Sequence, residues 1–270
     1  MKLPSLFQKR RTQTSHAQDP HRQFRRLSLP NMPKLVYAVG DVHGCFNAYC
    51  DLEQKITADA AADPAPNQRL LVLLGDLVDR GPQSGALIDH LLTKPPVGFD
   101  RVCLMGNHED MFTMFAQAPV ENAQWLDFGG RETLISYGVP SDLIDASRSS
   151  NTRMKQIIAA HVPRNHLDYI ANLPVSLSLP EWFFCHAGVN PDLALDQQSK
   201  DDLVWSDPAV LDQHRVANTT VVHGHTPEPQ VLVLPHRICV DTGAYSTHRL
   251  SAIKLKDGAF SGTLTNSKTN

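Results

Sequence analysis

No stretch of this 270-residue chain approaches 18 uninterrupted apolar residues, so a membrane-spanning helix is excluded. The five cysteines, Cys45, Cys50, Cys103, Cys185 and Cys239, are an odd number and form no CxxC pair. Three of them lie in apolar runs, so buried reduced thiols in a reducing, cytoplasmic compartment are expected. There is no internal repeat and no low-complexity block. The start of the chain lacks the apolar core and small-residue cleavage site of a secretory signal. With 41% hydrophobic and 20% charged residues, the composition also excludes collagen-like, coiled-coil and wholly disordered chains. At this length one sizeable α/β domain, or at most two small ones, is expected.

The net charge of −3 conceals an asymmetry. Residues 1–34 carry eight basic side chains and one acid, Asp19, leaving 17 basic against 27 acidic residues in the rest. An acidic body is a poor surface for nucleic acid, but carboxylates gathered around bound cations give the same sum. The basic start reads as a disordered tail over 1–33, although its Arg-rich, acid-poor composition also fits a transit peptide. It has no amphipathic periodicity that would lay it on a membrane.

Beyond the tail, Leu35–Val39 reads as a buried strand closed by Gly40. A helix over 46–56, a strand over 70–74, a helix over 84–93 and a strand over 102–105 follow, each strand closed by a glycine. That alternation implies a parallel sheet with helices on its faces. Residues 110–172 read as a helical insert or cap. Short strands return at 175–179, 182–185, 219–222, 230–234, 237–240 and 251–255, spaced for hairpins rather than crossovers. Residues 263–270 read as a frayed polar end.

Each of the first three strands ends in a polar cluster: Gly40-Asp41-Val42-His43-Gly44, Gly75-Asp76-Leu77-Val78-Asp79-Arg80-Gly81 and Gly106-Asn107-His108-Glu109. The carboxyl ends of parallel strands form the crevice where ligands bind, so these clusters should share one mouth. Two later apolar runs end in imidazoles, at His186 and at His223-Gly224-His225. Carboxylate, imidazole and amide oxygen together suit Mn, Fe or Zn better than Ca. Six donors exceed the needs of one four-coordinate ion, so two metals sharing a carboxylate is the economical arrangement.

These motifs, in this order from Leu35 to Leu255, resemble the phosphoprotein phosphatase family of metallophosphoesterases, closest to its short bacterial and phage-type serine/threonine phosphatases. The resemblance implies an α/β layered fold: two central sheets flanked by helices, with a catalytic domain over 34–262. It also implies two divalent ions, with Mn first and Fe or Zn as alternatives. Asp41, His43 and Asp76 would hold one metal, Asp76 would bridge, and Asn107, His186 and His225 would hold the second. His223 would stand behind these ligands. Two divalent ions against two carboxylates leave positive charge to hold a phosphate and acidify a bridging water, which would attack phosphorus in line. Arg80 would fork onto two phosphate oxygens, with Asn107 also touching phosphate. His108 would protonate the departing alkoxide, oriented by Asp79.

The family's further phosphate arginine has no clear counterpart: Ser206 and Asp207 follow Trp205, leaving Arg215 and Arg249 as candidates without a local motif. The implied substrates are phosphoserine or phosphothreonine in proteins, or another phosphorylated small molecule. The alternative is a dinucleoside polyphosphate such as diadenosine tetraphosphate. Asp79 and Glu109 favour the phosphatase branch, because nucleotide-cleaving relatives commonly carry Ala and Asp there. No nucleic-acid or membrane partner is expected, and the oligomeric state is left open. Cys45, two residues from His43, is a candidate for redox tuning and a stronger one for a structural thiol. Deleting residues 1–33 is expected to leave kcat intact; a collapse of turnover would show that the tail belongs to the catalytic machinery.

Overall fold

The first two long strands are apolar at nearly every position because both of their faces are covered. A computed structural model describes residues 24–63, 68–212, 216 and 218–267. In it Leu35–Val39 (β2), Arg69–Leu73 (β3) and Phe99–Cys103 (β4) run parallel in register, with Leu35 opposite Arg69 and Arg69 opposite Phe99. Helices Phe46–Ala61 (α1) and Ser84–Leu92 (α2) connect them. Ser251–Lys256 (β10) joins β2 antiparallel and hairpins into Ala259–Thr265 (β11), giving the order β11-β10-β2-β3-β4.

A second, six-stranded sheet lies against the first. It comprises Arg26–Ser28 (β1), Ser176–Leu179 (β5), Trp182–Cys185 (β6), Thr220–His223 (β7), Leu232–Val233 (β8) and Arg237–Cys239 (β9), in the order β1-β5-β6-β7-β9-β8. The period of two along each strand divides the core. Val36, Ala38, Leu70, Val72 and Ile253 of one sheet pack on Leu177, Phe184, Val222 and Ile238 of the other. Leu35, Tyr37, Val39 and Leu71 face the opposite way, onto Tyr49, Leu52 and Ile56 of α1. Phe183, Cys185 and Val221 point away from the sandwich, towards Leu203 and Leu211.

Between β4 and β5 the chain is helical: Asn107–Gln117 (α3), a 3-10 turn at Ala123–Phe128, Gly130–Ser136 (α4), Ser141–Ser147 (α5), Asn151–His161 (α6) and Arg164–Ala171 (α7). Phe112, Phe115, Trp125, Leu134 and Ile157 of this segment join the same core as β2 and β3, so the cap is packed into the domain. Two short helices, Lys200–Trp205 (α8) and Ala244–Thr247 (α9), complete the set.

Three sequence expectations change. Residues 26–28, placed in the tail, form β1. It pairs parallel with β5 and is fastened by Val175 N–H to the Arg25 carbonyl at 2.9 Å and Leu29 N–H to the Ser178 carbonyl at 3.0 Å. A three-residue edge strand reading Arg-Leu-Ser has too little apolar pattern to stand out. The late strands are not all hairpins: β5–β6, β8–β9 and β10–β11 are antiparallel, but β6–β7 and β7–β9 are parallel. The long connection through α8 returns the chain to the starting edge before β7, and β8 fills the sheet's margin. Finally, Thr263–Thr265, placed in the frayed end, belong to β11, whose alternation of polar and small residues fits an edge with one wet face. Residues 1–23 of the expected tail and 268–270 of the expected frayed end lie outside the described residues.

Removing residues 1–33 therefore strips an edge strand. Its loss should lower Tm by about 3–10 °C relative to a chain lacking only 1–23, taking about 1–3 kcal/mol for the lost pairing. Thermal melts followed by circular dichroism check this, and equal Tm values would show that β1 carries no stability.

Candidate metal centre and phosphate clamp

Both sheets release their polar clusters at one edge. Asp41 and His43 follow β2, Asp76, Asp79 and Arg80 follow β3, and Asn107 and His108 open α3 after β4. His186 follows β6 and His225 follows β7. The convergence at the carboxyl ends of the strands is the one expected from the motifs. Two glycines make it sterically feasible. A Cβ on Gly106 would lie 2.2 Å from Asp76 Oδ1, and one on Gly224 would lie 2.0 Å from Asp41 Oδ1. The carboxylates occupy the space that any other residue would fill.

The backbone here is held in conformations that L residues rarely adopt. His43, Asp76, Asp79, Arg80 and His225 have φ of 46°, 46°, 74°, 68° and 69°. Around Arg80, Gly81 N–H donates to the Asp79 carbonyl at 2.8 Å; around His225, Thr226 N–H donates to the Gly224 carbonyl at 2.8 Å. Both are γ-turns of the rarer left-handed form. The loops lock one another: Val42 and His43 N–H donate to the Asp76 carbonyl at 3.1 and 2.8 Å, and Arg80 N–H donates to Gly129 at 3.1 Å.

The Asp76 carboxylate stands in the middle. His43 Nε2 is 3.4 Å from its Oδ2, and His186 Nε2 is 3.4 Å from its Oδ1. Asn107 Oδ1, His186 Nε2 and His225 Nδ1 lie 2.8–3.2 Å from one another. His43 and His186 each spend their other ring nitrogen on a backbone carbonyl, Val78 at 2.9 Å and Leu74 at 3.0 Å. An Nδ1 that donates leaves Nε2 with its lone pair directed inward, the arrangement that metal-binding imidazoles adopt. Two groups of donors, His43-Asp76-His108 and Asp76-His186-His225, each fall within a 4.8 Å span.

The residues fit a pair of cations on the evidence of this arrangement. Asp41 Oδ1 is buried with no hydrogen-bond partner, and Asn107 Oδ1, His186 Nε2 and His225 Nδ1 converge within 3.2 Å of one another, a donor set that a cation would accept from. Burial alone would raise Asp76, yet the imidazoles of His186, His108, His43 and His225 outweigh it and hold this carboxyl below its usual range. Burial lowers His43 and His186 and brings His225 down to about 4, which favours the form of each ring that offers a lone pair. Asp41 is raised well above the usual range by burial and by the charges of Asp241 and Asp76. A nearby cation would remove that penalty.

Facing this cluster is Arg80. Its Nη1 lies 3.0 Å from His43 Nε2, its Nη2 lies 3.1 Å from His108 Nε2, and its guanidinium lies 4.5 Å from the Tyr245 ring centre. His108 Nδ1 lies 2.7 Å from Asp79 Oδ2. Burial pulls His108 down, but Asp76 and Asp79 outweigh it and lift the ring above its ordinary value. Asp79 is itself fixed by Trp125 Nε1, donating to Oδ2 at 2.7 Å, and by the Thr133 hydroxyl, donating to Oδ1 at 2.7 Å.

Most of the expected residues thus meet. Asp41 sits to one side: its Oδ2 accepts from His225 N–H at 3.0 Å, and His108 rather than Asp41 completes the first donor group. Arg249 spends its Nη1 on the Pro229 carbonyl at 2.8 Å, beyond the His225 turn. Arg215 lies outside the described residues. Glu109 is buried, accepting from Leu77, Val78 and Gly106 N–H at 2.8, 3.0 and 2.9 Å, so it staples two loops and does not face substrate. The Cys45 thiol is pushed up to about 11 by burial, which opposes reactivity.

Sequence reading missed Asp241, buried beside Asp41 and accepting from Gly243 N–H at 2.8 Å. The signal was there: Asp241-Thr242-Gly243 follows an apolar strand as the other clusters do. Trp125, Thr133 and Tyr245 carried no such signal, being lone residues in the cap or in a turn.

Gly224→Ala should push Asp41 out of place while leaving the sheets intact. Mn²⁺ affinity, measured by calorimetry on metal-stripped protein, is expected to fall at least about tenfold with an unchanged circular dichroism spectrum. Unchanged affinity would separate Asp41 from the metal.

A family model for calcineurin-like phosphoesterases matches residues 34–258. The bis(5'-nucleosyl)-tetraphosphatase PrpE of Anoxybacillus flavithermus is 26% identical over 237 residues, covering 80% of this chain and 88% of the relative. Its Bacillus cereus counterpart is 25% identical over 235 residues, with the same coverage. Among solved structures, a protein provisionally assigned as a diadenosine tetraphosphatase shares the fold with a TM-score of 0.62 at 20% identity, covering 92% of this chain and all of that one. A Saccharomyces cerevisiae serine/threonine phosphatase with similarity to human PP5 does so with a TM-score of 0.57 at 16% identity, covering 92% and 84%. Strand-end donors, a two-sheet core and a match over most of the length have one reading: the chain belongs to the calcineurin-like phosphoesterase family, metal-dependent hydrolases of phosphate esters.

Proposed function

We propose that the chain hydrolyses phosphate monoesters, with phosphoserine and phosphothreonine in proteins as the substrate class. The observation that carries this reading is the His108–Asp79 pair at 2.7 Å. An alkoxide is a poor leaving group and needs a proton as the P–O bond breaks, whereas a departing nucleotide phosphate is already stable as an anion. A buried, carboxylate-backed imidazole supplies that proton.

Asp41, His43, Asp76, Asn107, His186 and His225 would hold two divalent ions, Mn²⁺ first among them. When bound, these ions supply Lewis acidity, neutralising phosphate charge and acidifying water. The chain's own residues do the rest. Arg80 presents a planar fork, held in plane by the Tyr245 ring, for two phosphate oxygens. Asn107 stands at the same wall. His108 Nε2 is the ring nitrogen on the mouth side, facing Arg80 Nη2 at 3.1 Å; once a phosphate takes up Arg80, that nitrogen would carry the proton passed to the departing oxygen, while Asp79 stabilises the charged ring. Trp125 and Thr133 keep Asp79 from rotating away. The five cysteines, all free, suit a reducing compartment such as the cytoplasm.

A second reading, hydrolysis of dinucleoside tetraphosphates, is favoured by the names of the sequence relatives. It is also favoured by the exposed rings of Tyr245, which stacks on Arg80, and of Phe128, next to the Gly129 that accepts from Arg80 N–H; both offer faces to a base.

Comparing kcat/KM for a phosphothreonine peptide and for diadenosine tetraphosphate with Mn²⁺ decides between them: a peptide preference supports the first reading and a dinucleotide preference the second. Asp79→Asn adds an independent check. It should lower kcat on phosphothreonine by roughly 10²–10⁴-fold, but much less on p-nitrophenyl phosphate, whose leaving group needs no proton. Equal losses on both would remove His108 from the role of acid.

A further inference from the structure

Behind the candidate ligands runs a chain of hydrogen bonds that ends on the peptide between Gly224 and His225. That peptide is gripped at both ends. Its N–H donates to Asp41 Oδ2 at 3.0 Å, and its carbonyl oxygen faces His223 Nδ1 at 3.0 Å. The other ring nitrogen, His223 Nε2, lies 3.1 Å from Arg237 Nη1, and Arg237 Nε donates to Asp212 Oδ1 at 2.6 Å. A guanidinium has only donors, so His223 Nε2 must accept and the ring proton must sit on Nδ1. From there it is donated to the Gly224 carbonyl. His223 and Arg237 are buried, so both bonds are shielded from bulk solvent.

The carbonyl so held is the one that closes the left-handed γ-turn at His225. Such a turn persists only where neighbours over-determine it. We infer that Asp212, Arg237 and His223 are positioning residues: by fixing His223 as its Nδ1–H tautomer they clamp the Gly224–His225 peptide, and so aim both the His225 imidazole and the Asp41 carboxylate at the metal cluster. Hydrogen bonding to the carbonyl also polarises the peptide and strengthens the N–H that Asp41 accepts. His223 is thereby excluded as a direct ligand, since its one free lone pair is spent on Arg237. The inference rests on the metal-centre reading above and assigns the role of three residues that stand outside it.

Three readouts test it on the full chain stripped of metal. Long-range ¹H–¹⁵N NMR of the wild type should report His223 as Nδ1–H. Calorimetric titration with Mn²⁺ should show that Arg237→Met and His223→Leu raise Kd by about 10–100-fold. His223→Asn, whose side-chain N–H can take the place of Nδ1–H, should recover most of the loss. Asp212→Ala, at the exposed end of the chain and safe for folding, should raise Kd by a smaller factor. An Nε2–H tautomer in the wild type would overturn the inference, as would an unchanged Kd in folded Arg237→Met. So would a His223→Asn variant no better than His223→Leu. If Arg237→Met does not fold, an unchanged Kd in Asp212→Ala overturns it instead. A wild type that binds no Mn²⁺ would fail the metal-centre reading itself, a result distinct from each of these.

Discussion

One carboxylate organises this molecule. Asp76 places its two oxygens towards imidazoles from different sheets, His43 after β2 and His186 after β6. Its carbonyl accepts from the β2 loop, and its Oδ1 accepts from His108 N–H at 3.1 Å at the start of α3. Loops from three strands of one sheet and two of the other therefore meet through a single side chain. The glycine at 106 exists to leave it room. The two-sheet sandwich is the means by which five strand ends are brought to the same few ångströms, and the face-to-face core fixes their relative height.

That convergence is costly and the costs are concentrated. Among the described residues, eight that are not glycine have positive φ, and five of them are His43, Asp76, Asp79, Arg80 and His225. Conformations of this kind cost of order 1–3 kcal/mol each and survive only when the surroundings over-determine them. The buried, unpartnered Asp41 Oδ1 adds to the cost. The compensation comes from elsewhere in the fold: the fully buried strands, the Glu109 staple across two loops, and the Phe112–Trp125 stack at 4.7 Å under α3. The site is therefore strained by construction, and the stability that allows it lies in the apolar layers behind it.

How much of this the sequence revealed follows from where the information sits. Strands buried on both faces are continuous apolar runs, and the boundaries of β2 and β6 read from sequence agree with those observed. Asp41, His43, Asp76, Asn107, His186 and His225 were legible because each follows such a run, and because glycine next to a carboxylate is conspicuous. Edge strands were not: β1 and β11 bury little, so their sequences lack a pattern. Parallel against antiparallel pairing in the second sheet depends on long-range crossovers that short spacing conceals. The partners of Asp79 were illegible for a related reason. Trp125 and Thr133 look like ordinary cap residues, and their importance comes from contacts across about fifty positions of chain. Glu109 was legible only as a marker of the phosphatase branch; its part in joining two loops through backbone donors was not.

The cap's hold on Asp79 bears on how such a protein can change. Of the three groups that grip this carboxylate, His108 belongs to the strand-end machinery, but the indole and the hydroxyl come from the cap. Gly129, at the cap's own turn, also anchors the Arg80 backbone. The cap therefore doubles as scaffolding for the Asp79–His108 pair and for the Arg80 backbone. Grafting a foreign cap to acquire a new substrate would carry a hidden debt, because Trp125, Thr133 and Gly129 would have to be reproduced in place. Divergence in this architecture is most constrained in the stretch from α3 to α4, whose side chains hold Asp79 and Arg80 as well as the core.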